Sequence, residues 1–430
     1  MPPQPLSLDP HAGSTPLANQ VAGHQNVLSD ASGSLVIKPA LPREIAFYHL
    51  LNSASRRDPV SALKPFVPQF YGTLRLEGRI DGAGQLSTEA MDDVAVVPES
   101  VVLGNLAHDY TRPCILDVKL GRVLAEPDAT EAKKARMDKA AKSTTSWETG
   151  IRLTGCQTWH APTQSYILTP KSFGKSITPA QLPDGLVRFF PLPTDSIPAL
   201  ASPPTPTSST TTSPTSSAAP HLPLPPVDAA APVAPATPTS GKAVSQYTSH
   251  AIRPKALLRV LSLIDNHLEQ LQRVLQTLEA RFIGSSVLIV YEGDPERLED
   301  ALDRWDAKQA QRALLASEGL GRGPADNDED DDEDDDDSGL FEDEDDEDSS
   351  TSSDDDEDDG ARADARKARR CPPVTVRMID FAHTMLVEGE GPDEGVLKGL
   401  DTLRGLVRGR SELVRQAVYE DARGGDPAAA

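Results

Sequence analysis

A chain of 430 residues can hold two or three domains, but 38 prolines and an aromatic content of 4% are poor material for one compact core of that size. The formal charge of −24 sits in one place: of 66 Asp and Glu, 24 fall between Asp326 and Asp359 with no Lys or Arg among them, leaving 42 acidic against 42 basic residues elsewhere. The acidity therefore describes an insert and says nothing about the folded part. Cys114, Cys156 and Cys371 are odd in number and at no metal-binding spacing, which points to a reducing compartment without disulfides. The N-terminus, MPPQPLSLDP, has neither a positive n-region nor an apolar h-region, so no signal peptide is expected. No apolar run approaches the roughly 18 residues a membrane helix needs. The expectation is a soluble, intracellular monomer with no membrane span and no direct nucleic-acid partner.

Composition divides the chain. Residues 1–18 are Pro-rich and expected to fray. Ordered sequence is expected over 19–193. Residues 194–245 are built from Pro, Ser, Thr and Ala and cannot bury enough apolar surface to offset their ordering entropy, so disorder is expected there. Order resumes over 246–306, lapses through the acidic insert over 307–370, returns over 371–422 and ends before a tail at 423–430. The strands expected at 285–291 and 373–381 could not fold alone. They must complete a core begun in the first block, which makes one catalytic domain with two long insertions; closure entropy grows slowly enough with loop length to tolerate them.

Taken in chain order, the first segment with chemistry is SLVIKP, Ser34 to Pro39, followed by Arg43 and Glu44 at the start of a helical stretch. A strand-end Lys38 and a helix-start Glu44 match the Lys–Glu pair with which kinases hold ATP phosphates, although a surface lysine and a helix-start glutamate are ordinary. PCILDVKLG, Pro113 to Gly121, runs an apolar strand into a D-x-K pair. Alternation puts Asp117 and Lys119 on one face, where one can manage a hydroxyl while the other neutralises phosphate; an edge-strand ion pair would read the same. ATEAKKARMDKAAK, Ala129 to Lys142, offers Thr130 as N-cap and Lys133, Arg136 and Lys139 on one helical stripe with no acidic partner along it. That suits a multiply phosphorylated ligand or a solvated face.

Further on, Leu257, Leu261, Leu271, Val274 and Leu278 recur at helical spacing. GSSVLIVYEGD then reads as a buried strand whose Ser285 and Ser286 could meet a nucleotide phosphate or end the preceding element. MIDFAHT, Met378 to Thr384, delivers Asp380 at the end of an apolar strand, the layout that presents a Mg²⁺-binding carboxylate, or simply an Asp capping a turn. A helix is expected from Asp393 to Tyr419. There is no Walker A lysine, no glycine-rich loop before Lys38 and no H-R-D catalytic loop, which excludes the P-loop class and an ordinary protein kinase.

In this order the segments resemble the inositol polyphosphate kinase family. Its P-x-x-x-D-x-K-x-G signature is met by Pro113, Asp117, Lys119 and Gly121, its S-S-L-L motif by SSVL, and its I-D-F motif by Ile379, Asp380 and Phe381; QVAGH at Gln20 to His24 and GPDEGVLKGL at Gly391 to Leu400 look like its ends. SFGKSITPAQLPDGLVRFF and RFIGSSVLIVYEGDPER look most like the multikinase branch, particularly in fungi, while KKAR before a Ser/Thr run is shared with the hexakisphosphate kinases. The resemblance implies an α+β, two-lobed fold distantly like a protein kinase, a small antiparallel sheet with one helix over a larger mixed lobe, with ATP between. It implies ATP and Mg²⁺ as cofactors and an inositol polyphosphate as substrate, carried from tris- to tetrakis- and pentakisphosphate. Asp117 and Lys119 would be catalytic. Lys38, Ser285, Asp117 and the hinge Gly104, Asn105 and Leu106 would bind nucleotide; Asp380 would hold the metal. Lys119, Lys133, Arg136, Lys139, Lys175 and His383 would bind substrate phosphates. A hexakisphosphate kinase, and a kinase-derived scaffold binding basic nuclear proteins through the acidic insert, are the alternatives. The run RKARR, Arg366 to Arg370, suggests nucleus as well as cytoplasm.

Overall fold

The computed structural model describes residues 15–17, 27–74, 79–80, 86–87, 99–192, 194–195, 252–317, 367 and 369–424. The QVAGH motif, nearly all of the Pro/Ser/Thr-rich insert, the acidic run 326–359 and the last six residues lie outside them, and with them the expectations of disorder there.

The smaller lobe is built from β1 (Leu35–Pro39), α1 (Pro42–Ser53), β2 (Phe70–Leu74) and β3 (Ser100–Gly104). Its five-stranded sheet adds two-residue strands at Thr15–Pro16 and Leu28–Ser29 and runs in the order 15–16, 28–29, β1, β3, β2, antiparallel throughout. Pro39 closes β1, opposite Ser100. Helix α1 starts at Pro42, where a missing N–H costs nothing because the first turn leaves amides unpaired.

The larger lobe follows as β4 (Pro113–Leu120), α2 (Glu131–Lys142), β5 (Ile151–His160), β6 (Ser165–Thr169), α3 (Lys171–Ser176), α4 (Pro254–Gln276), β7 (Ala280–Ile283), β8 (Ser286–Glu292), α5 (Pro295–Ser317), β9 (Val374–Ile379), β10 (His383–Leu386) and α6 (Glu394–Gly424). Its main sheet has the order β6-β5-β4-β8-β9 and every pairing is antiparallel. Strands from all three ordered blocks share this sheet, so neither long insertion interrupts it. One face carries Leu116, Val118, Val287, Ile289, Val376 and Met378, all buried. Leu257, Leu261, Ile264, Leu268, Leu271 and Leu275 of α4 are buried in the same core, and α6 packs along α4. The opposite face carries Asp117, Lys119, Ser286 and Leu288, because Asp117 pairs with Leu288 and Lys119 with Ser286 across β4 and β8. No helix among the described residues is long and apolar enough to cross a membrane.

Two element ends differ from the sequence expectation. Helix α5 continues to Ser317, past residue 306. Its extension, AKQAQRALLAS, consists of strong helix formers, so propensity carries the helix although its buried residues are confined to Leu298, Ala301 and Leu302. Helix α6 begins where Asp393 caps it: the carboxylate accepts from the amides of Gly395 at 3.0 Å and Val396 at 3.1 Å.

Close backbone contact seats α6 on the sheet. Gly150 has φ +74°, and a Cβ on Gly399 would lie 2.4 Å from the Gly150 carbonyl oxygen. Gly405, exposed on the same helix, has nothing within 4 Å of where a Cβ would stand. Gly405→Ala should therefore stabilise by about 0.5–1 kcal/mol through helix propensity alone, whereas Gly399→Ala should destabilise by at least about 1–2 kcal/mol because the same gain is outweighed by the clash. Urea unfolding of the two variants checks the opposite signs.

Candidate active site

The site begins with Lys38. Its position in β1, opposite Val101, turns the side chain into the space between the lobes. There Nζ donates to Glu44 Oε1 at 2.9 Å and to Asp380 Oδ1 at 2.6 Å. Burial works against the ammonium, but the two carboxylates outweigh it and raise its pKa above the ordinary lysine value. Glu44 is 1% exposed and also accepts the backbone N–H of Phe381 at 3.3 Å. Around these polar contacts Phe47 stacks on Phe381, with centroids 4.7 Å apart, and Tyr48 meets it edge-on. Helix α1 of the small lobe is thus locked to the β9 exit of the large one.

Asp380 adopts φ +65°, the left-handed region that costs a non-glycine residue on the order of 1 kcal/mol and that Asp tolerates better than most. Three contacts hold it there: Lys38 on its carboxylate, Ser285 Oγ donating to its carbonyl at 2.9 Å, and Glu44 receiving the next amide. The Ser285 hydroxyl, for which the sequence left a nucleotide phosphate or a structural role open, orients the Asp380 backbone.

Asp117 and Lys119 do share a face. Asp117 is 4% exposed, and burial first, then the Asp380 charge, push its carboxyl up to about 6 against the opposing pull of Lys119, Ser286 and Thr154. Its Oδ1 has no hydrogen-bond partner among the described residues. Burial lowers the Lys119 pKa; Arg152 and Lys171 lower it further, against Asp380 and Asp117. Its Nζ donates to the Gly284 carbonyl at 2.8 Å. Arg152 faces Lys119 directly across β4 and β5, and its Nε is buried without a partner. Lys171, at the start of α3, acts on Lys119; it and Lys175, the residue expected from the sequence, are both exposed on that short helix. Arg152 escaped sequence reasoning because its only signal is register across β5, and Lys171 because its signal is its distance from Lys119 in space.

The remaining cations gather on the other side of Lys119. A Cβ on Gly284 would lie 4.0 Å from both Lys119 Nζ and His383 Cδ2, so these two are neighbours. His383 Nδ1 lies 2.5 Å from Glu126 Oε1. Lys133 reaches Glu126 Oε2 at 2.7 Å, which corrects the expectation that its stripe has no acidic partner: the partner comes from the loop before α2. Arg136 and Lys139 are exposed on α2, whose N-cap is Thr130, as the sequence predicts. At the hinge, the amides of Gly104 and Asn105 already donate to the Gln69 carbonyl at 2.8 Å and the Ser34 carbonyl at 2.8 Å; the Leu106 amide donates to no group among the described residues. The hinge lines a groove of about 910 Å³ that also takes in Pro68, Gln69 and Arg377; Lys38, Asp117 and Asp380 are not part of its lining.

A strained carboxylate, a buried carboxyl with an orphaned oxygen and a lysine between them fit a hard divalent cation together with phosphate oxygens. Among the described residues no three carboxylates or imidazoles cluster as an all-protein metal cage, which is the usual state of affairs where phosphates complete the ligand set. A metal and a polyanion thus have adjacent places at Asp380, Asp117 and Lys119, the arrangement of a phosphotransferase, with the hinge lining its own groove.

The sequence profile of the inositol polyphosphate kinase family matches residues 100–201 and 238–408. The chain belongs to that family. The inositol polyphosphate multikinase of Saccharomyces cerevisiae is 27% identical over 436 residues, covering 90% of this chain and 96% of its own length. The multikinase of Schizosaccharomyces pombe is 30% identical over 172 residues, 40% of this chain and 61% of the relative. The chain is also similar to the crystal structure of the S. cerevisiae inositol phosphate multikinase in complex with ADP and Mn²⁺, at a TM-score of 0.47 and 20% identity, covering 87% of this chain and 98% of that one.

The Asp117 shift has a stability consequence. Its folded pKa, about 6, lies above the ordinary 3.8, so between those values the folded state binds more protons and stability falls as pH rises through the window. The shift corresponds to at most roughly 3 kcal/mol at neutral pH. Asp117→Asn should raise the stability of the ligand-free protein by about 1–3 kcal/mol at pH 7.5 and change it little near pH 4. Urea melts at the two pH values test the sign.

Proposed function

We propose that this ATP-dependent inositol polyphosphate kinase is a multikinase, converting an inositol trisphosphate to the tetrakis- and pentakisphosphates with Mg²⁺. The reading is carried by one observation: Lys38, Glu44 and Asp380, a kinase phosphate-and-metal set, stand beside Asp117 and Lys119 and a cluster of further cations. The length of the match to the yeast multikinase supports the subtype.

In this reading the Leu106 amide reads the adenine, and Lys38 neutralises the ATP phosphates. Asp380 would hold the metal, which supplies charge neutralisation between the phosphates when bound. Lys119, Arg152 and Lys171, with His383, Lys133, Arg136 and Lys139, hold the phosphates already on the ring and so aim one free hydroxyl at the γ-phosphorus. A carboxyl pushed up to about 6 is a competent base near neutral pH. Asp117 takes the hydroxyl proton as the ring oxygen bonds to phosphorus and the bond to the β-phosphate oxygen breaks, releasing ADP. Transfer of this kind needs mainly positioning and charge. We further propose action in nucleus and cytoplasm, on the strength of the RKARR run.

The test is incubation with Mg²⁺-ATP and a panel of inositol phosphates, resolved by anion exchange. Trisphosphate proceeding to pentakisphosphate is the expected result; pyrophosphate formed from hexakisphosphate, with the trisphosphate untouched, overturns the multikinase reading. In the same assay Asp117→Asn and Lys119→Ala should each lose at least about 100-fold in turnover, roughly 3 kcal/mol of barrier. Near-normal turnover in either removes that residue from the chemistry.

A further inference from the structure

Glu126 belongs to no motif, yet it is the centre of the cationic half of the site. Its two carboxylate oxygens meet basic side chains from three separate elements: His383 at the start of β10 at 2.5 Å, Lys133 on α2 at 2.7 Å, and Arg43 on α1 at 3.6 Å. The side chain is 13% exposed. Arg43 is anchored a second time, by Asp128 at 2.8 Å, two residues along the same loop.

A carboxylate beside a polyanion site has two opposing effects. It repels the ligand's phosphates, and it gathers cations that would otherwise repel one another. Which effect dominates depends on how firmly the cations are held without it. For α2 the answer is weakly: Ala141, in its last turn, is the only buried residue of the helix. Its remaining ion pairs, Lys134 with Glu131 and Lys142 with Asp138, lie within the helix, and Lys142 sits over the Trp147 ring, 5.0 Å from its centroid, which holds only the C-terminal end. Among the described residues, the first turns of α2 are joined to the body through Lys133 and Glu126. The Thr130 cap acts only within the helix end.

Resting on the substrate reading above, we propose that Glu126 is a positioning residue: its carboxylate ties α2, α1 and β10 into one array, so that the phosphates of the inositol ring meet cations already in place. Preorganisation then outweighs repulsion, since the entropy of ordering a loosely packed helix is met on folding and not on binding. Glu126 touches no reacting atom, and its one link to the nucleotide half, Arg43 at 3.6 Å, is backed by the closer Asp128 at 2.8 Å.

Full-length Glu126→Ala, Glu126→Gln and Glu126→Asp test this in two ways. Hydrogen exchange on the ligand-free protein should show residues 131–142 exchanging about tenfold or more faster in the Ala and Gln variants, with Asp close to the parent; unchanged exchange overturns the tether, whatever the substrate proves to be. In kinetics with Mg²⁺-ATP and inositol trisphosphate, Ala and Gln should raise the inositol phosphate KM about tenfold or more, leave the ATP KM within about twofold, and be largely rescued by Asp. A lowered inositol phosphate KM would mean that repulsion dominates, and an equal rise in both KM values would mean a general structural defect. Either result overturns the proposal. Failure of the parent enzyme to use any inositol phosphate would instead sink the substrate reading, with the exchange measurement still deciding the tether.

Discussion

Everything in the cleft depends on the buried junction of Lys38, Glu44 and Asp380. Glu44, almost without solvent contact, could not remain charged in an apolar interior; Lys38 and the Phe381 amide both answer it. The Phe381 contact runs from the large lobe to the small one, and the Phe47–Phe381 stack seals it. The same lysine reaches Asp380, so the geometry that joins the lobes is also the geometry that presents the metal-competent carboxylate. Removing one partner would leave an uncompensated charge in the interior, which is why stability and function cannot be separated at this point.

Elsewhere the site works against the fold. Asp117 is buried with an orphaned oxygen, Arg152 has an unpartnered Nε, and Asp380 holds a left-handed backbone. Each of these is unfavourable in the empty protein and each becomes reasonable if a metal and a polyanion arrive. The compensating order comes from regions far from the chemistry: the leucine face of α4, the aliphatic face of the main sheet, and the close glycine contact that seats α6.

The chain's resemblance to its family was legible because the motif residues lie on strands whose apolar alternation announces them. P-x-x-x-D-x-K-x-G and I-D-F each combine a buried strand with a carboxylate, so the strand and the chemical group were read together. Gly399, within the segment GPDEGVLKGL, acquires a physical reason in its backbone contact with Gly150. What escaped were residues whose role depends on neighbours distant in sequence. Nothing around Glu126 distinguishes it from any loop glutamate. Lys171 and Lys175 are four residues apart, and only the electrostatic coupling of Lys171 to Lys119 distinguishes them. The hydrogen bond from the Ser285 hydroxyl to the Asp380 carbonyl, 95 residues on, was likewise beyond reading from the sequence.

The sequence by itself determined the composition of the folded blocks, the apolar strands and helices, and the carboxylates and lysines the chemistry requires, because periodicity and short motifs are local properties of the chain. Only the tertiary structure decided which charges meet. Lys38 and Asp380 are 342 residues apart in sequence and 2.6 Å apart in space; such encounters raise the Lys38 pKa, while burial sets the direction of the Asp117 and Lys119 shifts. Coulomb interactions and burial depend on distance and on the exclusion of water, and neither exists until the sheets have closed on one another.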